Sequence, residues 1–496
     1  MSAEVPSPQP TSQRLTANVR IRRLASDIRR PALIALVLCG LLGTLMGCGG
    51  GSSGRSTIHT KPRSSGPHSE VSRRLAPNRP NIVFVLTDDL AWNLVRYMPH
   101  VLEMQRHGET FSNYYVSDSL CCPSRASIFT GRYPHNTKIF SNNAPNGGFI
   151  KFHNRGEELE TFATALQARG YRTAMMGKYL NGYQPDDVEE DKTTPYVPPG
   201  WSEWDVAGDG YPEFGYTLNS DGHLHRYHHA PSEYLTDVLA RKSLSFISSS
   251  TKRNVPFMLE IATFAPHSPF VPAPRDAGDF PGLGAPRNPA FDAANTGAPA
   301  WLSHYAPLAP AAIEKLNTQF RRRAQSVQAV DEMIGEIEHE LVVTGQQRDT
   351  YIVFSSDNGL HMGEHRLIAG KLTAFDSDIR VPLIVIGPGV PHGQTVSAMT
   401  ENIDLSPTFE RLGGAPAPHS VDGHSLTGLL HGKAQAGWPR EVLIEHRGPD
   451  RAPQDPDLPI TGAGNPPSYN ALRTKHSLYV EYTDGELEYY DLRSDP

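Results

Sequence analysis

The sequence predicts an α/β fold, in which helices sandwich a large, mostly parallel sheet and a small antiparallel sheet follows at the C-terminal end. Three observations carry this reading. Asn81-Ile82-Val83-Phe84-Val85-Leu86 is a continuous apolar run, the pattern of a strand buried on both faces. Runs of that kind alternate with segments of helical period, as in chains that build parallel sheets. The 496 residues are 38% apolar and 20% charged, which supplies a sizeable core and excludes a disordered or fibrous chain.

The elements follow in order. Leu159, Phe162, Ala163 and Leu166 have helical spacing, Gly170 closes that helix, and Tyr171–Met176 reads as the next strand. Phe257–Thr263, Thr350–Phe354 and Val381–Ile386 read as further core strands. Phe320, Ala324, Val327, Ile334, Ile337 and Leu341 line one face of a long helix before Thr350. Residues 265–310 are rich in Pro, Ala and Gly and read as a surface excursion over the ligand-binding end of the sheet. From about Val442 the chain turns strand-like, with Ser477–Tyr482 and Leu487–Leu492 expected in the small antiparallel sheet.

Charge and cysteine usage exclude other classes. Overall there are 46 Lys and Arg against 53 Asp and Glu, yet residues 1–80 hold 12 basic and 3 acidic side chains. The remainder is therefore strongly acidic and offers no footprint for nucleic acid. An anionic substrate stays possible, because a metal ion or a few local cations reverse the field inside one cleft. Cys39, Cys48, Cys121 and Cys122 are too few for a disulfide scaffold.

Arg20, Arg22, Arg23, Arg29 and Arg30 precede an apolar run from Ala32 to Gly47. That run is short for a membrane span, which takes about 20 residues, and suits a secretory signal. Leu45-Met46-Gly47-Cys48 resembles a bacterial lipobox, which implies lipidation of Cys48 as the mature N-terminus; an uncleaved signal anchor is the alternative. The expected organisation is a signal peptide at 1–47, a flexible Gly/Ser/Pro linker at 48–78, a catalytic domain at 79–430 and a small C-terminal subdomain at 431–496. The expected location is outside the cytoplasm, at the cell surface or on the periplasmic side, held to the membrane by a lipid anchor.

Chemistry concentrates in three clusters. Asp88-Asp89 ends the first buried strand, and Asp357-Asn358-Gly359 ends the Thr350 strand. Oxygen donors from two strand ends suit a hard divalent cation such as Ca²⁺ or Mg²⁺, although Asp, Asn and Gly are also ordinary turn residues. The third cluster is Cys121-Cys122-Pro123-Ser124-Arg125. Pro and Ser here mark a helix start, whose positive end favours anions, and Arg125 adds a cation one turn on. Two buried cysteines at a helix start, or a cysteine hydrolase with its thiolate held by the helix end, are the other readings.

Cys121-x-Pro123-x-Arg125, with both metal pairs in order around it, resembles the signature of the type I, formylglycine-dependent sulfatases of the alkaline phosphatase superfamily. The resemblance runs from about Arg79 to the end. It is strongest toward N-acetylglucosamine-6-sulfatases and heparan sulfatases, on Tyr133-Pro134-His135-Asn136, Gly177-Lys178-Tyr179-Leu180-Asn181, Tyr234-Leu235-Thr236-Asp237 and Ala265-Pro266-His267-Ser268-Pro269. It implies an alkaline phosphatase-like fold and sulfate monoester hydrolysis, on a 6-sulfo-N-acetylglucosamine-like sugar or an aryl sulfate.

Residue by residue, the resemblance implies that Cys121 is converted to formylglycine (3-oxoalanine) by a formylglycine-generating enzyme. Its hydrate would supply the nucleophile and one metal ligand. Asp88, Asp89, Asp357 and Asn358 would hold Ca²⁺, Arg125 would steady the formylglycine, and Lys178 and Lys371 would grip sulfate. His267 would protonate the leaving alcohol, alone or together with Lys371, and Asn181 would contact substrate. His361 and His365 are second-tier candidates. Leu180 stands where many sulfatases have a histidine that deprotonates the second hydroxyl, a departure shared by the glucosamine-type group. Trp201, Trp204, Tyr211 and Tyr216 are expected either to stack on sugar rings or to lie in the core, with the pocket built from loops at Trp201–Arg226 and 265–310. Tyr490–Pro496 resembles a segment after which family members continue, which implies a last subdomain cut short. Phosphonate or phosphate monoester hydrolysis, and sulfoglycan binding without turnover if Cys121 is never oxidised, are the competing expectations.

Overall fold

The computed structural model describes residues 20–21 and 79–494, leaving aside 190–191, 417–419, 434–435 and 454. The expected linker, Cys48 and, but for Arg20 and Ile21, the expected signal segment lie outside the described residues. No described helix is long and apolar enough to cross a membrane.

A ten-stranded sheet organises the chain. Its strands are β1 (Asn81–Thr87), β2 (Glu109–Phe111), β3 (Arg172–Lys178), β4 (Glu203–Ala207), β5 (Thr217–Ser220), β6 (His223–Arg226), β7 (Phe257–Ala262), β8 (Thr350–Ser356), β9 (Leu383–Ile386) and β10 (Gln394–Val396). They lie in the order β10-β2-β9-β8-β1-β7-β3-β4-β5-β6. The central strands β8, β1, β7, β3 and β4 are parallel. Both flanks contain antiparallel pairs, β8 with β9 and β9 with β2 on one side, β4 with β5 and β5 with β6 on the other. The expected Val381–Ile386 strand is thus the shorter, antiparallel β9: only a one-turn helix, Asp376–Ile379, lies between β8 and β9, so no crossover returns the chain to the same end of the sheet.

The apolar run of β1 feeds two cores. Ile82, Phe84 and Leu86 pack on one face with helices α1 (Cys121–Thr130), α2 (Phe162–Ala168) and α5 (Leu405–Leu412). Val83 and Val85 pack on the other with α3 (Leu235–Lys252) and α4 (Pro310–Val343). The α4 stripe from Phe320 to Leu341 is buried as its period requires. Leu159 departs from expectation. It sits in a 3₁₀ turn at Glu157–Glu160, 68% exposed, because the α-helix starts only after the Thr161 cap.

The excursion at 265–310 is mostly irregular, with one short helix at Ala300–Ser303. Trp201–Arg226, expected as loops, instead supplies β4, β5 and β6, the last three strands on one side of the sheet. Trp204 and Tyr216 are core residues there. The C-terminal sheet has four antiparallel strands, β11 (Glu441–His446), β12 (Tyr469–Thr474), β13 (Ser477–Tyr482) and β14 (Leu487–Asp491). Val442, Ile444, Tyr469, Ala471 and Val480 share the core that holds α1.

Candidate active site at the strand ends

Register brings the clusters together. In the parallel β1–β8 pair Thr87 lies opposite Ser356, so Asp88 and Asp357 emerge side by side. Across β7, Ala262 lies opposite both Leu86 and Gly177, which sets Lys178 and the Ala265-Pro266-His267 turn at the same edge. Side chains of consecutive strand residues point to opposite faces. Asp88 and Asp89 nevertheless converge, because Asp89 takes a left-handed conformation (φ 64°), which Asp tolerates better than most residues. Arg323 of α4 is buried behind it and donates to the Asp89 carbonyl.

Helix α1 presents Cys121 from its first turn. Cys121 Sγ is 3.2 Å from Asp88 Oδ1 and 3.0 Å from Lys371 Nζ. Arg125 Nε donates to Asp357 Oδ2 at 2.8 Å, and its Nη1 donates to the Lys178 carbonyl at 3.1 Å. Lys178 Nζ donates to Asp88 Oδ2 at 2.5 Å, and Lys371 Nζ to Asp89 Oδ1 at 2.7 Å. His267 Nε2 lies 3.6 Å from Asp89 Oδ2. Asn358 Nδ2 donates to Asp89 Oδ1 at 2.7 Å. Asn181 is buried beside them, its Nδ2 donating to the Tyr211 hydroxyl at 3.3 Å. The sequence-derived set of Cys121, Asp88, Asp89, Asp357, Asn358, Arg125, Lys178, Asn181, His267 and Lys371 therefore meets in one buried cluster.

Electrostatics follow from burial and pairing. Burial works against the Asp357 carboxylate, but Arg125, Lys178 and Lys371 hold it below the usual range. Asp88 is pushed up, by burial and by Asp357 beside it. For Lys178 and Lys371, facing carboxylates outweigh burial, so both ammonium groups stay charged. Burial, Asp357, Asp457 and Asp88 all push the Cys121 thiol well above its ordinary pKa. A helix N-terminus alone does not make this a reactive thiolate, which weighs against the cysteine-hydrolase reading.

The residues fit a hard cation. Donor atoms of Asp88, Asp89, Cys121 and His267 lie within 4.8 Å of one another. Asn358 Oδ1 is buried and has no protein partner, an unmet acceptor of the kind a cation satisfies. Four carboxylates, Asp88, Asp89, Asp357 and Asp457, face Arg125, Lys178, Lys371 and His267. A divalent ion added to that balance turns the pocket cationic and suits it to an anionic ester.

Sequence reasoning missed Asp457. This residue sits on the Arg447–Ser468 loop of the C-terminal segment, and its Oδ1 lies 2.6 Å from His267 Nε2 and 2.8 Å from Lys371 Nζ. The Asp-Pro-Asp run at 455–457 reads only as a turn, so no local signal marks it. Asn142 was missed too: its Oδ1 accepts from the Cys122 N–H at 3.0 Å and its Nδ2 donates to Asp457 Oδ2 at 2.7 Å. Of the four aromatics, Tyr211 alone reaches the site, its ring 4.5 Å from the imidazole of His267 and 5.0 Å from Lys178 Nζ. His361 bridges Asp378 at 2.9 Å and the Ala463 carbonyl at 2.9 Å, and His365 stacks on Phe375 at 4.1 Å.

Paired strand-end carboxylates, three fixed cations and a helix start around one buried side chain define a metal-assisted hydrolase of anionic esters. The chain belongs to the sulfatase family, whose profile, described as Sulfatase, matches residues 80–415. It is 36% identical over 445 residues to the N-acetylglucosamine-6-sulfatase of Homo sapiens, covering 84% of this chain and 80% of that one. It is 34% identical over 404 residues to the extracellular sulfatase SULF-1 homolog of Drosophila melanogaster, covering 79% of this chain and 35% of that one. A solved structure in complex with its substrate D-glucosamine-2-N,6-O-disulfate superimposes with a TM-score of 0.69 at 24% identity, over 84% of this chain and 92% of the other. The phosphonate monoester hydrolase of Silicibacter pomeroyi shares the fold, with a TM-score of 0.63 at 22% identity, over 84% and 89% of the two chains. The protein is a sulfuric ester hydrolase of alkaline phosphatase-like fold.

Proposed function

We propose that this sulfatase removes a 6-O-sulfate from a glucosamine-type sugar, with Cys121 acting as formylglycine hydrate beside Ca²⁺. The observation that carries the mechanism is the position of Cys121 Sγ, 3.2 Å from Asp88 Oδ1 and 3.0 Å from Lys371 Nζ. That sulfur stands in for an oxygen of the hydrate. Asp88, Asp89, Asp357, Asn358 and the hydrate would hold the cation, and the all-oxygen set favours Ca²⁺. When bound, the ion supplies charge neutralisation and acidifies a neighbouring hydroxyl.

The chain's own residues do the rest. One hydrate hydroxyl attacks sulfur and displaces the sugar alcohol, leaving sulfate on the former Cys121 carbon. The second hydroxyl then loses its proton, the carbonyl re-forms and sulfate leaves, so the aldehyde is recovered and rehydrated by water. Lys178 and Lys371 hold the sulfuryl oxygens, and Arg125 keeps Asp357 and α1 in place. An alkyl alcohol leaves poorly as alkoxide, so His267 gives it a proton. His267 is suited to this: burial disfavours its charge, but Asp89, Asp88 and Asp457 raise its pKa above the ordinary imidazole value.

Support for the sugar comes from the relatives: the human enzyme's name specifies N-acetylglucosamine 6-sulfate, and the superimposed structure holds a 6-O-sulfated glucosamine. On the same reading the polypeptide is exported, oxidised at Cys121 by a formylglycine-generating enzyme, and anchored through lipid on Cys48. Domains at 79–430 and 431–496 remain the proposed division.

The test is the mass of tryptic peptide His107–Arg125 from the native host, with Cys122 as the internal thiol control. Loss of sulfur at position 121, with sulfate release that vanishes in Cys121→Ala, is the expected result. Two intact thiols would remove the nucleophile and favour sulfoglycan binding without turnover. Preference for a phosphonate over a matched sulfate monoester would instead favour the other hydrolase of this fold.

A further inference from the structure

The two groups assigned to sulfate and leaving alcohol are already engaged by one oxygen of the protein. Asp457 Oδ1 lies 2.6 Å from His267 Nε2 and 2.8 Å from Lys371 Nζ. The other imidazole nitrogen, Nδ1, is 2.7 Å from the Ser268 carbonyl, so both ring nitrogens face acceptors. Lys371 Nζ has three protons and three partners: Asp89 Oδ1 at 2.7 Å, Asp457 Oδ1 at 2.8 Å and Cys121 Sγ at 3.0 Å. While Asp457 stays, its Oδ1 occupies the His267 Nε2 position and one Lys371 proton that a sulfate ester would otherwise take.

We propose that Asp457 is a built-in carboxylate competitor for the sulfate subsite, displaced by the sulfuryl group on binding and returning to expel the sulfate product. The inference rests on the sulfate-subsite reading given above. The Asp457 side chain is buried, and it belongs to a loop outside the strand-end framework, so its placement is not dictated by the sheet. The loop has its own anchor: Asp455 accepts from Asn142 Nδ2 at 3.0 Å and from Asn143 Nδ2 at 2.8 Å. Asn142 Nδ2 also reaches Asp457 Oδ2 at 2.7 Å. The carboxylate can therefore swing off Lys371 and His267 without losing every partner.

Charge makes the exchange close to balanced. A carboxylate and a sulfate monoester each bring one negative charge to the same two donors. Apparent affinity then falls by the fraction of molecules in which the subsite is open. Product release gains what substrate binding loses, which suits an enzyme whose product is a strongly bound anion.

The experiment measures KM for a sulfate monoester and the inhibition constant of inorganic sulfate in wild type, Asp457→Asn, Asp457→Ala and Lys371→Ala. Both Asp457 variants are expected to lower KM and the sulfate inhibition constant together, by about tenfold, the effect of removing one charge-assisted competitor. Lys371→Ala should raise the sulfate inhibition constant. If Lys371→Ala leaves it unchanged, the sulfate-subsite reading fails. If Lys371→Ala raises it while the Asp457 variants leave it the same or raise it, the competitor inference alone fails. A kcat loss confined to poor leaving groups, with sulfate inhibition unaltered, would make Asp457 a positioning residue for His267 and also overturn it. Should the variants not fold, hydrogen exchange of the wild type decides: saturating sulfate should speed exchange across residues 447–468, and unchanged or slower exchange overturns the proposal.

Discussion

Glu260→Gln tests how the centre of the sheet tolerates charge. Glu260 sits in β7 opposite Phe84 and Met175, fully buried, and neither carboxylate oxygen has a hydrogen-bond partner. Burial pushes its pKa from 4.5 up to about 8, against the pull of the Arg125 charge. The folded state therefore keeps a proton that the unfolded chain has released. From about pH 5 to pH 8 stability should fall as pH rises, by about 1.4 kcal/mol per pH unit, and level off above pH 8 at a penalty of about 5 kcal/mol. Glu260→Gln keeps the shape and removes the titration. Its unpaired amide has a cost of its own, but that cost does not change with pH. The signature is thus the slope: the stability of Glu260→Gln relative to wild type should climb by about 4 kcal/mol across this window. Urea unfolding followed by circular dichroism at several pH values measures it. A difference constant from pH 5 to pH 8 would refute the burial reasoning and imply that Glu260 is ionised and paired in solution.

Three further outcomes follow from the site. Exhaustive chelation should abolish sulfate release, Ca²⁺ should restore it, and Ca²⁺ at one hundred times its Kd should add about 2.7 kcal/mol of stability; full activity after chelation would exclude the metal role. Gly177→Ala should destabilise by about 3 kcal/mol and cut activity, because φ is +99° and the new Cβ would lie 2.0 Å from the Ala262 carbonyl, pushing Lys178 off register; a calorimetric scan showing no loss would contradict the geometry. Asn142→Ala should cost about 2 kcal/mol, since it strips an acceptor from the Cys122 N–H and a donor from Asp455 and Asp457; an unchanged urea midpoint would show that water replaces it.

The strand-end chemistry was legible in the chain because it is local. A buried apolar run followed by Asp88-Asp89, a second by Asp357-Asn358, and Cys121-Cys122-Pro123 at a helix start each announce themselves within a few residues. Parallel pairing at the centre of the sheet then brings such ends to one edge. The motif resemblance added Lys178, His267 and Lys371, which as lone charged residues carry no signal. The stripe on α4 was legible for the same reason as β1, since its period is set by backbone geometry.

Local patterns in the chain thus set the framework and the residues that follow directly from it: alternating strands and helices, paired carboxylates at strand ends and a cysteine at a helix start. Tertiary structure decided the rest. Strand β9 runs antiparallel to β8 because the segment between them holds only a one-turn helix and does not cross back over the sheet, and Trp204 and Tyr216 go into the core while Tyr211 goes to the site. Asp457 enters from a loop far along the chain, held by His267 and Lys371. Its partners lie 190 residues away in one case and in the β8–β9 connection in the other, and contacts of that range leave no periodicity or spacing in the sequence, because they are fixed only when the chain closes on itself.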